Sequence, residues 1–210
     1  SKDKKKIENK LYKIYSNDFR KDQKSPVGTT DIKTNLKIIE KYSNAIIDLL
    51  DNFSLNDHLE YTEFGDLLDF MCYSVFPDIR STELKIKIEN REKYGSVFFE
   101  EQKILFLHTK SELVSNLNVR IYRNSEVIKY GNMSFSSVIL MLAPKDVEPE
   151  YIEIISQISK RLVSDDEFLN GIRTMTENEM YKSIEKYLKK FFYKKNMEII
   201  NNGWKYENSK

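Results

Sequence analysis

Val138-Ile139-Leu140-Met141-Leu142-Ala143 is apolar at every position. A strand of that composition has to bury both faces, and it does so in the middle of a sheet covered by helices on each side. The segments around it fit that picture. Upstream, Ile104-Leu105-Phe106-Leu107 is a short apolar run, and Val119-Arg120-Ile121-Tyr122-Arg123 alternates as a half-buried strand does. Glu126 to Tyr130 reads as its hairpin partner across Asn124-Ser125. Downstream, Pro149 suits a first helical turn, and Tyr151, Ile154, Ile155, Ile158 and Leu162 form one apolar stripe.

Helical spacing dominates both ends. From about Asn35, Ile39, Tyr42, Ile46, Leu50 and Phe53 recur at three- and four-residue intervals. Phe64, Leu67, Leu68, Met71 and Val75 mark a second helix ending near Pro77, with His58 as a solvated residue of its capping region. Ser164 with Glu167, and Thr176 with Glu179, have the capping-box spacing that satisfies free backbone N–H groups in a first turn. Met180, Ile184, Tyr187, Leu188 and Phe191 predict a last helix. Helices, a strand cluster and helices again describe an α/β fold, a three-layer α/β/α sandwich around a mixed sheet.

Leu84-Lys85-Ile86-Lys87-Ile88 alternates strictly, and by period alone it is a strand.

Charge is distributed unevenly. Residues 1–25 and residues 182–210 are each net +5, and the whole chain is +1, which leaves −9 for residues 26–181. An acidic body with basic ends lacks the basic patch that a nucleic-acid surface needs. No apolar run approaches the roughly 18–20 residues that span a bilayer, and Ser1 to Lys6 is charged rather than leader-like. Cys72, the one cysteine, sits between Met71 and Tyr73 as a small buried hydrophobe. Two histidines and one cysteine lie too far apart for a metal set, and the six glycines form no phosphate loop, so no metal or cofactor is expected. The organisation expected is a basic linker or N-terminal extension at 1–30, a domain at 31–195 and a C-terminal tail at 196–210.

Arg91-Glu92-Lys93-Tyr94-Gly95-Ser96, followed by a strand ending at His108, resembles the enzyme IIA domains of the bacterial sugar phosphotransferase system, in their mannitol/fructose class. Val138 to Pro144 running into Tyr151 to Leu162 looks like that family's buried strand and following helix, and Phe168 to Ile184 like its closing helices. The likeness covers roughly residues 35–191. It implies that residues 82–93 form a helix, against their alternation.

The resemblance also implies a site. His108 takes the place of the family's phosphoryl-accepting histidine, with Arg91 and Ser96 placed to meet phosphate oxygens. Phosphoryl transfer asks for such positioning and charge stabilisation. Phe98, Phe99, Phe106 and Leu107 are candidates for an apolar rim that receives the carrier. This chain departs from the family in carrying Leu107 where proline precedes the histidine. It also carries Glu150-Tyr151 where Glu-His is expected, which leaves Tyr151 to support the phosphate as a hydrogen-bond donor. Glu100 and Glu101 add negative charge before the acceptor strand.

What the resemblance implies about function is a cytoplasmic regulatory domain of a transcription activator or antiterminator. Its state would follow phosphorylation of His108 or docking of a partner nearby. The partners implied are HPr or a IIB component and the other domains of the same regulator, with no direct contact to nucleic acid and no membrane. Two other readings are a free phosphocarrier passing phosphate from HPr to a IIB component, and a non-phosphorylated docking module. Phe191-Phe192-Tyr193 and Trp204 would extend past the last helix and either pack on the domain or form a homodimer interface.

Overall fold

The computed structural model describes residues 32–207. Helix α1 (Ile32–Asp51) leads into strand β1 (Phe53–Leu59) and helices α2 (Phe64–Val75) and α3 (Arg80–Glu92). Strands β2 (Val97–Phe99), β3 (Ile104–Ser111), β4 (Asn118–Tyr130) and β5 (Met133–Pro144) follow, and then α4 (Pro149–Ser164), α5 (Asp166–Thr174) and α6 (Glu177–Glu207). The five strands form one sheet in the order β1-β4-β5-β3-β2. β1 with β4 and β3 with β5 are parallel, while β2 with β3 and β4 with β5 are antiparallel. The sheet is mixed and β5 is its middle strand, as the apolar run Val138–Ala143 requires.

Alternation along the strands divides the interior in two. Ile104 and Phe106, Val119 and Ile121, and Ile139, Met141 and Ala143 face the layer built by α1, α4, α5 and α6. Leu105 and Leu107, Tyr122 and Ile128, and Val138, Leu140 and Leu142 face α2 and α3. Each fully buried Leu, Ile, Val or Phe side chain contributes roughly 1.5–3 kcal/mol of hydrophobic free energy, so both layers are held by burial on a shared sheet.

The helix over 82–93 is present, as α3. Leu84 and Ile88, one turn apart, are buried, whereas Ile86 between them is 51% exposed. A helix needs only the i and i+4 positions of this stretch, and the isoleucine between them faces water.

Four expectations are corrected. Phe53 does not close α1 but opens β1, a strand that the helical spacing concealed. β1 forms because the outer edge of β4 offers unpaired backbone groups, a condition that tertiary structure creates. His58 accordingly lies in β1, not at a helix cap. It takes φ 57 at an irregularity between Asn56 and Leu59, with its N–H donating to the Asp57 carboxylate at 2.8 Å. Asn124-Ser125 is not a hairpin turn. β4 runs through it with a bulge between Arg123 and Ile128, and the turn comes later, where Tyr130 pairs with Met133 around Gly131 at φ 56. Ser164 does not cap α5, because its hydroxyl donates to Lys160 O within α4. Asp165 takes the role by accepting from Phe168 N at 2.9 Å.

The Thr176–Glu179 capping box is formed. Glu179 Oε2 accepts from Thr176 N at 2.8 Å and Thr176 Oγ1 accepts from Glu179 N at 3.3 Å. α6 then runs unbroken past residue 195, so Phe191, Phe192 and Tyr193 lie inside the last helix rather than beyond it. Phe191 and Phe192 pack against the α1/α4 layer, and Tyr193 is 70% exposed. Lys195 is pinned to Glu153 of α4 at 2.8 Å, and the same carboxylate accepts from the Tyr42 hydroxyl of α1. Residues 1–30, read as a basic linker, and the Trp204 side chain lie outside what the structure describes.

Candidate functional site

α3 ends where Gly95 takes φ 105, a conformation open to glycine, and donates its N–H to Glu92 O at 2.8 Å. That turn brings the chain through Ser96 into β2, the short edge strand beside β3. β2 pairs with β3 only over Ile104–Phe106. Among the described residues, no strand lies against the outer edge of β3 from Leu107 onward, while its inner edge pairs with β5 as far as Ser111. His108 stands on this half-open stretch, opposite Met141.

Arg91, in the last turn of α3, reaches that opening, and its Nη2 lies 3.1 Å from His108 Nε2. A guanidinium can only donate, so Nε2 is the accepting nitrogen and the ring proton sits on Nδ1. Burial, and after it the nearby positive charge of Arg91, push the imidazole pKa down to about 4. His108 is therefore neutral at physiological pH, with its Nε2 lone pair aimed at a cation. The Phe106 ring, two residues back on the same strand face, stacks on the imidazole with centroids 5.3 Å apart and planes 17° apart.

The four residues singled out from sequence do not all meet. Arg91 and His108 are in direct contact. Ser96 is partly buried in the α3–β2 connection, adjoining the same sheet edge. Tyr151 lies in the first turns of α4, where burial and then the negative charges of Asp48 and Glu148 push its hydroxyl pKa up. Its electrostatic surroundings are thus acidic, and they come from α1 and the α4 N-terminus rather than from Arg91.

The expected apolar rim is corrected. Phe99, Phe106 and Leu107 are 5%, 0% and 0% exposed and belong to the two cores, and Phe98 packs partly against the second. The Phe106–His108 stack is a contact that sequence reasoning missed, although two residues apart on a strand is the spacing that puts side chains on one face.

Cys72 is buried, and desolvation pushes its thiol up to about 12, far from a nucleophilic thiolate. Among the described residues, no group of three or more His, Cys, Asp or Glu is placed to hold a metal ion, and no helix is long and apolar enough to cross a membrane.

Among solved structures, the chain is similar to nitrogen regulatory protein IIA-Ntr from Neisseria meningitidis. The identity is 15%, the match covers 64% of this chain and 94% of that one, and the TM-score is 0.49. It is similar also to a structure described as a PTS IIA (PtxA) from Streptococcus mutans, at 16% identity, covering 71% of this chain and 96% of that one, with a TM-score of 0.48. No curated protein gives a significant match. Residues 58–187, which contain α2 through the first third of α6 and the Arg91–His108 pair, match the family model "Phosphoenolpyruvate-dependent sugar phosphotransferase system, EIIA 2". That match spans more than half of the chain, and the protein therefore belongs to the EIIA type 2 family of the sugar phosphotransferase system.

Proposed function

We propose that this chain is a cytoplasmic regulatory EIIA-type domain, of the mannitol/fructose class, in a transcription regulator controlled by the phosphotransferase system, and that its state follows phosphorylation of His108. The observation that carries the reading is the neutral His108 ring with Nε2 held 3.1 Å from the Arg91 guanidinium. In the step proposed, the Nε2 lone pair forms a bond to phosphorus as the bond from phosphorus to the donor breaks. The electron pair returns to the donor atom, and the proton on Nδ1 stays in place. Arg91 turns its donors from Nε2 to the incoming phosphoryl oxygens, with Ser96 as a further donor from the adjoining loop. The preference for Arg over Lys at such a place follows from its planar fork of N–H groups. The donor on this reading is phosphorylated HPr or a IIB component.

The regulatory role is favoured over steady phosphate relay by what stands around the pair. Tyr151, where the family resemblance implies a second histidine, supplies no positive charge and sits beside Asp48 and Glu148. Glu100 and Glu101 lie in the β2–β3 connection ahead of the acceptor strand. A phosphorylated state that is poorly supported is suited to reporting flux by shifting between two affinities for a partner domain. The second reading, a free phosphocarrier, is favoured by the intact Arg91–His108 contact itself.

The test is incorporation of phosphate from phosphoenolpyruvate, with enzyme I and HPr, into the chain and into His108→Ala. Acid-labile label in the wild type that disappears in the variant is the expected result. Rapid return of that label to a IIB acceptor would favour the carrier. Absence of label from both proteins, with a working control, would overturn phosphorylation and leave docking alone.

A further inference from the structure

A nitrogen nucleophile attacks phosphorus along its lone pair, which lies in the plane of the imidazole ring. The χ2 torsion of histidine is broad and roughly two-fold, so a ring held at one atom still swings through a range of planes. The Arg91 contact bears on one atom of His108, Nε2, and does not by itself define the ring plane. A flat partner lying against the ring face bears on that plane directly.

We propose that Phe106 is a positioning residue of the His108 site, setting the plane of the imidazole while Arg91 sets which nitrogen faces outward. The proposal rests on the phosphoacceptor reading given above. Its geometric basis is the stack of the two rings, 5.3 Å between centroids and 17° between planes. Phe106 is itself immobilised. It is 0% exposed, and its backbone lies between Val97 of β2 and Ile139 of β5, the last position of β3 that is flanked on both edges. The platform thus sits in the closed part of the sheet and the reactive ring in the open part, two residues further along the same face. A phenyl ring also suits the task chemically. It has no donor or acceptor to compete for either nitrogen, so it fixes the plane without biasing the lone pair that must attack. An aliphatic side chain offers no flat face against which the imidazole can lie parallel.

The experiment uses the full chain labelled with 15N and 13C at histidine, as wild type, Phe106→Leu, Phe106→Tyr and Phe135→Leu. Phe135 is equally buried, at 0% exposed, but lies in the other core, so its variant controls for loss of packing alone. Expected in the wild type are His108 ring protons shifted upfield by the phenyl face and 15N shifts of a single Nδ1–H tautomer. Phe106→Tyr and Phe135→Leu keep both signatures. Phe106→Leu loses the upfield shift, keeps the Nδ1–H tautomer that Arg91 sets, and accepts phosphate from phosphorylated HPr about tenfold more slowly. A Phe106→Leu protein with the wild-type rate would overturn the proposal, as would the same loss of rate in Phe135→Leu. If Phe106→Leu does not fold, the wild-type spectrum decides, because unshifted His108 ring protons there overturn it. If neither the wild type nor any variant takes phosphate while the spectra differ as stated, the phosphoacceptor reading falls, and what survives is the effect of Phe106 on the ring plane alone.

Discussion

Arg91 and His108 meet across the edge of the sheet. α3, which carries Arg91, buries Leu84 and Ile88 against one core. His108 shares a strand face with Phe106, which belongs to the other. The contact is possible because β2 is three residues long and stops at the pairing of Val97 with Phe106. A β2 extended by two residues at its start would pair along His108 and close the gap through which the guanidinium passes. The short edge strand is thus part of the site.

Removing Arg91 is expected to act on His108 in two measurable ways. Its charge is the second cause of the low imidazole pKa, after burial. In Arg91→Ala the pKa rises from about 4 toward 6.5 without reaching it, as followed by NMR titration. Phosphate acceptance slows by about 100-fold, the scale of losing one preorganised charged donor. Arg91→Lys recovers only part of the rate, since an ammonium cannot span two phosphoryl oxygens. A titration curve unmoved by either substitution would remove Arg91 from the site.

Stability should carry the signature of the same histidine. Its folded pKa lies near 4 and its unfolded value near 6.5. Above that window both states are neutral and His108 contributes no pH dependence. As pH falls through it, the unfolded chain binds a proton that the folded chain refuses, so the fold loses stability. The loss is roughly 2 kcal/mol once partial exposure of the ring to solvent is allowed for. Urea denaturation between pH 7 and pH 4 should show a slope that flattens in His108→Gln. Asp57 and Asp165, whose carboxyls are held below the usual range by backbone N–H and arginine donors that outweigh their burial, lose their contribution at lower pH still.

Arg123 ties the end of α5 to the sheet, and its loss should be the most damaging single change outside the cores. It is 7% exposed and donates to Ile172 O at 2.5 Å, to Gly171 O at 3.3 Å, to Met175 O, and to the Asp57 carboxylate at 2.9 Å. Arg123→Ala strands these C-terminal helix carbonyls together with a carboxylate, at a cost of about 3–5 kcal/mol in chemical denaturation. Asp57→Asn, which keeps the carbonyl contacts, should cost about 1 kcal/mol. Equal losses in the two variants would contradict this division.

Thr176 opens α6 and should behave as a cap. Thr176→Ala removes the hydroxyl that accepts Glu179 N and is expected to cost about 1 kcal/mol, or about 2–4 °C in melting temperature for a domain of this size. Thr176→Ser should be nearly neutral. A larger loss in Ser than in Ala would indicate methyl packing instead of capping.

What the sequence determined by itself was whatever rests on local period. The unbroken apolar run Val138–Ala143 leaves no face for water, so a central strand with helices on both sides followed at once. The stripes Phe64–Val75 and Ile154–Leu162, and the Thr176–Glu179 box, were legible for the same reason, since each is decided within a turn or two of chain. His108 and Arg91 were nameable from a motif, but nothing in the spacing of residues 91 and 108 showed that they touch. The tertiary structure decided that contact, because it depends on where β2 ends. It also decided β1, which exists only because β4 presents an open edge for Phe53–Leu59 to pair with, and it turned Asn124-Ser125 from a turn into a bulge by supplying β5 as a continuous partner. Backbone hydrogen bonds between strands distant in sequence are satisfied only once the sheet has formed. No local pattern records them, and the placement of the His108 ring on a half-open strand belongs to the same class.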